Sequence, residues 1–279
     1  MAVPAYVINL PASVDETLHR RRRAHIESEL RRASVPYRFV ESVDGFRLTA
    51  EERAALVDEQ HVARNPWLTA GILGASLSHL AAYRAILDDG PPVALILEDD
   101  AVLPHDLAQL LEALADRISQ SEVVLLYWRS VEGPAVFSTS DALRLPSGAA
   151  LRYPCTLEQL GCASAYLVTA DACRRLIEAV TPIRSCTDTW ATFHEWGAFD
   201  SLRCVVPRPV GSRTDFKSTV NYHGGDSLRS RMSSFVAHRR LFPFHTIFGV
   251  VRAARERRMS RYVLTSQRSP LAQQRATPR

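Results

Sequence analysis

An α/β fold, with a mostly buried sheet covered by helices on both faces, is what the sequence predicts, and three observations predict it. Short apolar runs recur at residues 6–10, 37–40, 93–97, 123–127 and 166–168, the length and character of strands that have no solvent face. Between them lie segments whose apolar residues recur at helical spacing, the alternation expected of a helix-covered sheet. The 279 residues are 46% hydrophobic and 23% charged. A chain of that size and composition can bury a core without disulfides or a structural metal.

The elements follow in order. Residues 6–10 form the first strand. Residues 15–33 are polar with strong helix formers and read as a helix carrying the Arg20, Arg21, Arg22, Arg23 cluster. Residues 37–40 form a second strand, closed by a turn at Asp44-Gly45. Thr49 and Glu52 match a capping box, which starts a helix running to about residue 59. Leu73, Leu77, Leu80 and Leu87 predict a helix over 74–88, stopped by Asp89-Gly90-Pro91-Pro92. The strand at 93–97 follows and ends in Glu98-Asp99-Asp100. Leu107, Leu110, Leu111, Leu114 and Ile118 define an amphipathic helix, followed by the strand at 123–127. Residues 130–160 dissolve into Pro, Gly and Ser and read as loops or a weak hairpin. A strand at 166–168 and a helix near 170–180 restore the pattern.

Charge divides the chain. Residues 229–279 hold twelve Arg and one Glu, a balance of +11, which leaves −7 for the rest of a chain whose net charge is +4. An acidic body therefore carries a basic tail. The tail mixes Phe242, Phe244, Ile247, Phe248, Val250 and Val251 with Arg239, Arg240, Arg252, Arg255, Arg257 and Arg258. That mixture suits an interfacial helix over 235–264 on an anionic membrane surface. A helix packed on the domain is the alternative, and nucleic acid is not an expected partner. The first ten residues have no signal-peptide pattern, and no apolar run approaches the roughly 20 residues of a membrane span. A cytoplasmic location is expected, peripheral at the inner face of the membrane. The five cysteines, 155, 162, 173, 186 and 204, form no C-x-x-C pair and read as reduced, mostly buried thiols. Neither a G-x-G-x-x-G nor a Walker A sequence is present.

The sharpest chemical signal is the acidic triplet at the end of the apolar strand. In open α/β sheets ligands sit beyond the carboxyl ends of the strands. Three adjacent carboxylates there repel one another unless a cation or hydrogen-bond donors offset the charge. Alternation lets Glu98 and Asp100 converge while Asp99 points away. Hard divalent cations take such oxygens together with substrate phosphates. An acid-x-acid metal–diphosphate site is one reading; a solvated acidic turn before the next helix is the other.

Four segments and one turn favour the first. Tyr6-Val-Ile-Asn-Leu10, Gly71-Ile-Leu-Gly-Ala-Ser-Leu-Ser-His79, Ala94-Leu-Ile-Leu-Glu-Asp-Asp100 and the stretch from Ala165-Tyr-Leu-Val168 to Asp188 stand in an order, with the turn at 42–45, that resembles glycosyltransferase family 25, the lipooligosaccharide-type β-galactosyltransferases. The resemblance covers roughly residues 5–220. It implies a GT-A type fold, a Rossmann-like nucleotide-binding sheet flanked by helices, over residues 1–225. Residues 226–279 form the basic helical extension, its end disordered. It also implies a UDP-sugar donor, a transferred hexose, galactose first, and Mn²⁺ or Mg²⁺. The acceptor is a glycan or lipid-linked envelope saccharide. By the same resemblance Asp100 binds the metal, Glu98 and Asp99 hold ribose or sugar hydroxyls, and Asn9 and Asp44 border the nucleotide. Ser78 and His79 stand at the active site. Four adjacent Arg on one helix read first as a solvated face, with assistance to the diphosphate by one of the 20–23 cluster as the alternative. His223, beside Gly224 and Gly225, supplies a late metal or diphosphate ligand, with Ser212, Asp215 and Ser218 in the same closing loop. Asp188 corresponds to the general base of an inverting transfer, with Glu195, Asp200 and Asp215 as rivals; Trp190 and Trp196 offer a sugar-stacking face. A non-catalytic nucleotide-sugar-binding scaffold and a metal-dependent hydrolase of the donor are the alternatives.

Overall fold

The computed structural model describes residues 2–130, 135–145, 147–213 and 216. In chain order its elements are β1 (Ala5–Ile8), α1 (Glu16–Arg32), β2 (Tyr37–Val40), α2 (Ala50–Leu56), α3 (Glu59–Arg64), α4 (Ala70–Asp89), β3 (Val93–Glu98), β4 (Ala101–Val102), α5 (Leu107–Ala115) and β5 (Glu122–Leu125). They continue with β6 (Arg129–Ser130), β7 (Leu143–Arg144), β8 (Ala150–Arg152), β9 (Leu160–Gly161), β10 (Ala165–Thr169), α6 (Ala170–Val180), α7 (Trp190–Glu195), β11 (Ser201–Val206) and β12 (Gly211–Ser212).

Eight strands form one mixed sheet in the order β2-β1-β3-β10-β5-β11-β8-β7. β2, β1 and β3 are parallel, β10 runs antiparallel between β3 and β5, and β11 is parallel to β5. The carboxyl ends of β1, β2, β3, β5 and β11 therefore share one edge with the amino end of β10. Both faces are buried, as the strand composition requires. Ala94 and Ile96 pack with Leu73, Leu80 and Leu176 from α4 and α6, while Leu95 and Leu97 pack with Ile26, Leu30, Leu110 and Leu114 from α1 and α5. Period-2 alternation sends successive side chains of β3 to opposite layers.

Local signals are used much as their chemistry dictates. Asp15 caps α1, its side chain accepting from the Leu18 amide. The capping box at Thr49 and Glu52 is formed, but the single helix expected to residue 59 is two. Val57 turns extended, is buried, and bridges Ile183, while the Asp58 amide donates to the Ile183 carbonyl. Asp58 then caps α3. Core burial of one β-branched residue breaks the helix there. α4 begins at Ala70 rather than 74, with Thr69 as its cap; Gly71 and Gly74 in its first turns hide the start from propensity. Its end at Gly90 takes φ 81°, a left-handed cap that glycine adopts without steric cost. α4 is long and apolar enough to cross a bilayer, against the sequence expectation, yet two-thirds of it is buried in the core. The amphipathic helix α5 stops at Ala115, short of Ile118. Residues 130–160, expected as loops or a weak hairpin, include one: β7 and β8 pair antiparallel and extend the sheet beside β11, while β6 and β9 form a second short antiparallel pair. All five cysteines are free thiols. The basic extension at 226–279, with the interfacial helix expected over 235–264, lies outside the described residues.

The turn at Asp44-Gly45 is pressed onto α4. A Cβ on Gly45 would stand 1.8 Å from the Ala70 carbonyl oxygen and 2.7 Å from the Gly74 amide nitrogen, both backbone atoms that cannot swing aside. Gly45→Ala is expected to cost about 3 kcal/mol of unfolding free energy, read as a lowered midpoint in urea. An unchanged midpoint would mean that this turn does not lie against the helix.

Candidate active site

The shared edge collects most of the residues that the sequence singled out. β1 and β3 run side by side with Ile8 opposite Glu98, so Asn9 and Asp99 leave the sheet as neighbours. Asp99 turns inward. Its Oδ2 accepts from Asn9 Nδ2 and from the Leu10 amide, both at 2.7 Å, and its Oδ1 accepts from Arg22 Nη1 at 2.7 Å. With 2% of its surface exposed, Asp99 is an internal strut. The expectation that it holds sugar hydroxyls is corrected: its oxygens face protein donors, and Arg22 offsets its charge. The bond to Asp99 commits the Asn9 amide nitrogen, and Asn9 Oδ1 is buried without a hydrogen-bond partner among the described residues.

Glu98 and Asp100 point the other way, as alternation predicts. Ser164 Oγ donates to Glu98 Oε2 at 2.8 Å, and His79 Nε2 faces Oε1 at 3.8 Å. Burial opposes the Glu98 charge, but His79, the Ser164 hydroxyl and Arg22 outweigh it and hold the carboxyl below its ordinary value. The side chain keeps 36% of its surface open. Asp100 is pushed the opposite way, up to about 6, first by burial and then by Glu98 and Asp99. β12 pairs with β4 and brings Ser212 Oγ to 3.2 Å from Asp100 Oδ2. Asp100 Oδ1 is buried with no hydrogen-bond partner among the described residues.

That orphaned oxygen is the test of a metal. A buried carboxylate oxygen with raised proton affinity is what a hard divalent cation would stabilise. No three His, Cys, Asp or Glu side chains cluster as ligands among the described residues. Among the described residues Asp100 alone would offer such an oxygen to a cation, with diphosphate and solvent left to complete the set, a pattern common for Mg²⁺. The residues fit Mn²⁺ or Mg²⁺ on those terms. His223, Asp215 and Ser218 lie outside the described residues.

A cavity of about 370 Å³ opens between the ends of β1 and β2, lined by Asn9, His19, Arg23, Phe39, Ser42 and Asp44 among others and joined to the triplet through the Asn9–Asp99 bond. The arginine cluster splits around it. Arg20 pairs with Glu16 on the solvent side, Arg22 is buried on Asp99, and Arg23 lays its guanidinium over the Phe39 ring at 3.6 Å. Asp44 accepts from Ser13 Oγ at 2.6 Å, and Ser42 Oγ donates to the Asn9 carbonyl. Ser78 does not reach the cavity. It is 2% exposed, donates to the Gly74 carbonyl at 2.8 Å and accepts from the Val43 amide at 2.8 Å. Its expected ligand role is corrected to that of a brace for the 42–45 turn. His79 is likewise buried, reaching the site through Glu98.

The antiparallel β10 completes the site. Because it enters the sheet at the shared edge, Cys162 and Ser164 arrive beside Glu98, whose amide donates to the Ser164 carbonyl at 2.8 Å. The Cys162 thiol lies 3.0 Å from Ser164 Oγ. Cys162 has φ 85°, a conformation uncommon outside glycine, and its amide donates to Asp188 Oδ2 at 2.8 Å. The Cys186 thiol donates to Asp188 Oδ1 at 3.0 Å. Asp188 is therefore two residues from Glu98 through Ser164 and Cys162. It does not cap α7, whose N-cap is Thr189. Of its rivals, Asp200 precedes β11 at the opposite edge, paired with Arg175 at 2.7 Å, and Glu195 is exposed at the end of α7.

The stacking face is corrected in one half. Trp190 is wholly buried, edge-on to Tyr166 at 5.3 Å, and its indole donates to the Cys162 carbonyl at 3.2 Å. It shapes the Cys162 backbone and offers no face to a sugar. Trp196 is half-buried, with Arg184 over its ring at 4.3 Å. Cys162 and Ser164 escaped the sequence reading; the only local signal is the small-residue run Gly161-Cys-Ala-Ser164 just ahead of an apolar strand.

Residues 2–191 match the family described as "Glycosyltransferase family 25 (LPS biosynthesis protein)". The chain is 30% identical over 215 residues to a Haemophilus influenzae protein named "Putative glycosyltransferase", covering 76% of this chain and 70% of that protein. It is 29% identical over 123 residues to the Homo sapiens protein named "Procollagen galactosyltransferase 2", covering 42% of this chain but 19% of that protein's length. Among solved structures it is similar to a mannose-1-phosphate geranyltransferase from Thermus thermophilus, at 12% identity with 75% of each chain covered and a TM-score of 0.34. So loose a likeness carries no argument.

Proposed function

Because the chain belongs to glycosyltransferase family 25, we propose that this glycosyltransferase is metal-dependent and inverting, moving a hexose from a UDP-sugar to a glycan acceptor. Galactose is the first sugar to test, since the human relative bears galactosyltransferase in its name. An envelope saccharide is the first acceptor class, since the family description names LPS biosynthesis. One observation supports the reading: at the carboxyl ends of parallel strands, Asn9 lines a cavity and bonds Asp99, and the next residue, Asp100, keeps a buried oxygen with no hydrogen-bond partner among the described residues. Ligands of open α/β sheets bind at that edge.

The residues divide the chemistry. Asn9 Oδ1 accepts a hydrogen from the nucleotide, and Arg23 and Phe39 wall its cavity. Glu98, kept ionised, accepts from sugar hydroxyls. Asp188 takes the proton from the acceptor hydroxyl, whose oxygen attacks the anomeric carbon as the bond to the diphosphate breaks and the diphosphate leaves with the charge. Asp100 would hold Mn²⁺ or Mg²⁺, which stabilises the charge developing on that leaving group. The basic extension would hold the enzyme at an anionic membrane surface, close to a lipid-linked acceptor, on the cytoplasmic side.

The test is thermal stabilisation by a panel of nucleotide-sugars with and without Mn²⁺. A shift with UDP-galactose that grows with Mn²⁺ is expected, because a ligand that binds only the folded state stabilises it by mass action. No metal-dependent shift with any nucleotide-sugar would favour a scaffold that keeps the fold without the chemistry.

A further inference from the structure

We propose that Tyr83 and Tyr166 are positioning residues that act through His79 to orient the Glu98 carboxylate, along a buried relay whose hydrogens all point toward the active site. The inference rests on the reading of Glu98 as the group that accepts from donor-sugar hydroxyls.

The relay starts in the core. Tyr83 OH lies 2.9 Å from Tyr166 OH, and Tyr166 OH lies 2.8 Å from His79 Nδ1. His79 Nε2 then faces Glu98 Oε1 at 3.8 Å. His79 and Tyr83 sit one helical turn apart on α4, and Tyr166 reaches them from β10. The three side chains are 2%, 3% and 0% exposed, so no bulk water competes for these hydrogen bonds. Trp190 packs edge-on against the Tyr166 ring and His79 stacks on it, which holds the phenol in place.

Chemistry gives the relay a direction. A neutral imidazole has one donor and one acceptor nitrogen, and a carboxylate only accepts. A bare Nε2 facing Glu98 would set two lone pairs against each other, so Nε2 carries the hydrogen. Nδ1 is then the acceptor and takes the hydrogen of the Tyr166 hydroxyl. Having donated, Tyr166 accepts from Tyr83. Burial raises both phenols above their ordinary value, so both hydrogens stay in place. At 3.8 Å the last contact is an oriented charge–dipole attraction rather than a full hydrogen bond. It aims Oε1 while Ser164 fixes Oε2. Chains of this kind polarise one another, which makes the far hydroxyl felt at the near carboxylate.

The experiment uses the full chain labelled with ¹⁵N-histidine, without donor or metal, and reads the His79 tautomer by two-bond proton–nitrogen NMR; His79→Gln identifies its signals. The wild type is expected to hold one hydrogen, on Nε2. Tyr166→Phe removes the donor to Nδ1, and Glu98→Gln removes the demand for a hydrogen on Nε2, so each is expected to move the ring toward the Nδ1–H form. A wild-type ring protonated on Nδ1, or on both nitrogens, overturns the relay, as does a Glu98→Gln spectrum with His79 unchanged. With UDP-galactose, Tyr166→Phe should raise the donor KM about fivefold, the loss of one hydrogen bond, with kcat less affected. His79→Gln presents an amide hydrogen to Glu98 without the tyrosines, so adding Tyr166→Phe to it should change the KM no further; additive losses would mark the tyrosine as merely structural. Absence of turnover with UDP-galactose defeats the proposed donor, whereas the donor-free spectra still decide the relay.

Discussion

Asp188→Asn is expected to lower sugar transfer about 10²- to 10⁴-fold, the usual contribution of a positioned general base, while donor affinity stays at the wild-type level. The substitution is nearly isosteric. Its remaining carbonyl oxygen can still accept from the Cys162 amide, so the strained Cys162 backbone and its indole partner Trp190 are retained. What is lost is the oxygen that could take a proton. Steady-state transfer from UDP-galactose, set beside calorimetric titration of the donor with Mn²⁺, separates the two effects. Turnover close to wild type would remove Asp188 from the mechanism. With Asp200 at the far edge and Glu195 exposed on α7, attention would then turn to Asp215.

The second large effect is expected at Asp100, and it carries two opposite signs. The folded-state value of about 6 stands above the ordinary 3.8. The folded protein therefore holds an extra proton between those values, and stability falls as pH rises through that window. Asp100→Asn has no charge at any pH. Without metal it is expected to be more stable than the wild type at neutral pH, by roughly 1 to 2 kcal/mol, and close to it below the ordinary carboxyl range. With Mn²⁺ and donor the order should reverse. The wild type gains about 2.7 kcal/mol at a hundredfold excess over Kd, and the variant gains far less. Denaturant midpoints across pH, with and without Mn²⁺, read both signs. A variant that still responds fully to Mn²⁺ would show that Asp100 is not the protein ligand.

Much of this fold could be read from the sequence because its signals are local. β2, at Tyr37–Val40, coincides with its apolar run, and α6, at Ala170–Val180, with its helical pattern. The capping box and the Gly90 stop act where they stand. The failures are where a distant partner decides. Val57 leaves the helical path because it is buried and bridges Ile183, 126 positions away in the chain. The weak hairpin that 130–160 allowed is present as β7 and β8, but its place beside β11 and the pairing of β6 with β9 depend on partners elsewhere in the chain.

The site divides along the same line. Alternation in an extended segment was enough to separate Asp99 from Glu98 and Asp100, since side chains of a strand change face at every residue. It could not say which face was buried. That depended on Arg22, which the register of α1 carries to Asp99; its neighbours Arg20 and Arg23 face solvent and the cavity instead. Ser78 and Trp190 shared a motif or a loop with site residues yet face the core. Cys162 and Ser164 carried no signal because their importance comes from β10 entering the sheet in reverse.

By itself, then, the chain determined a helix-covered sheet, an acidic triplet at a strand end and the helices around them, because apolar periodicity, capping and strand alternation are properties of neighbours in sequence. Only the tertiary structure decided that Asp99 is a strut, that Asn9 and Asp100 each keep a buried oxygen unpartnered among the described residues, and that Glu98 is linked to Asp188 on one side and to two core tyrosines on the other. Those contacts join residues up to ninety positions apart, and strand order and direction, rather than any local preference, bring them within hydrogen-bond distance.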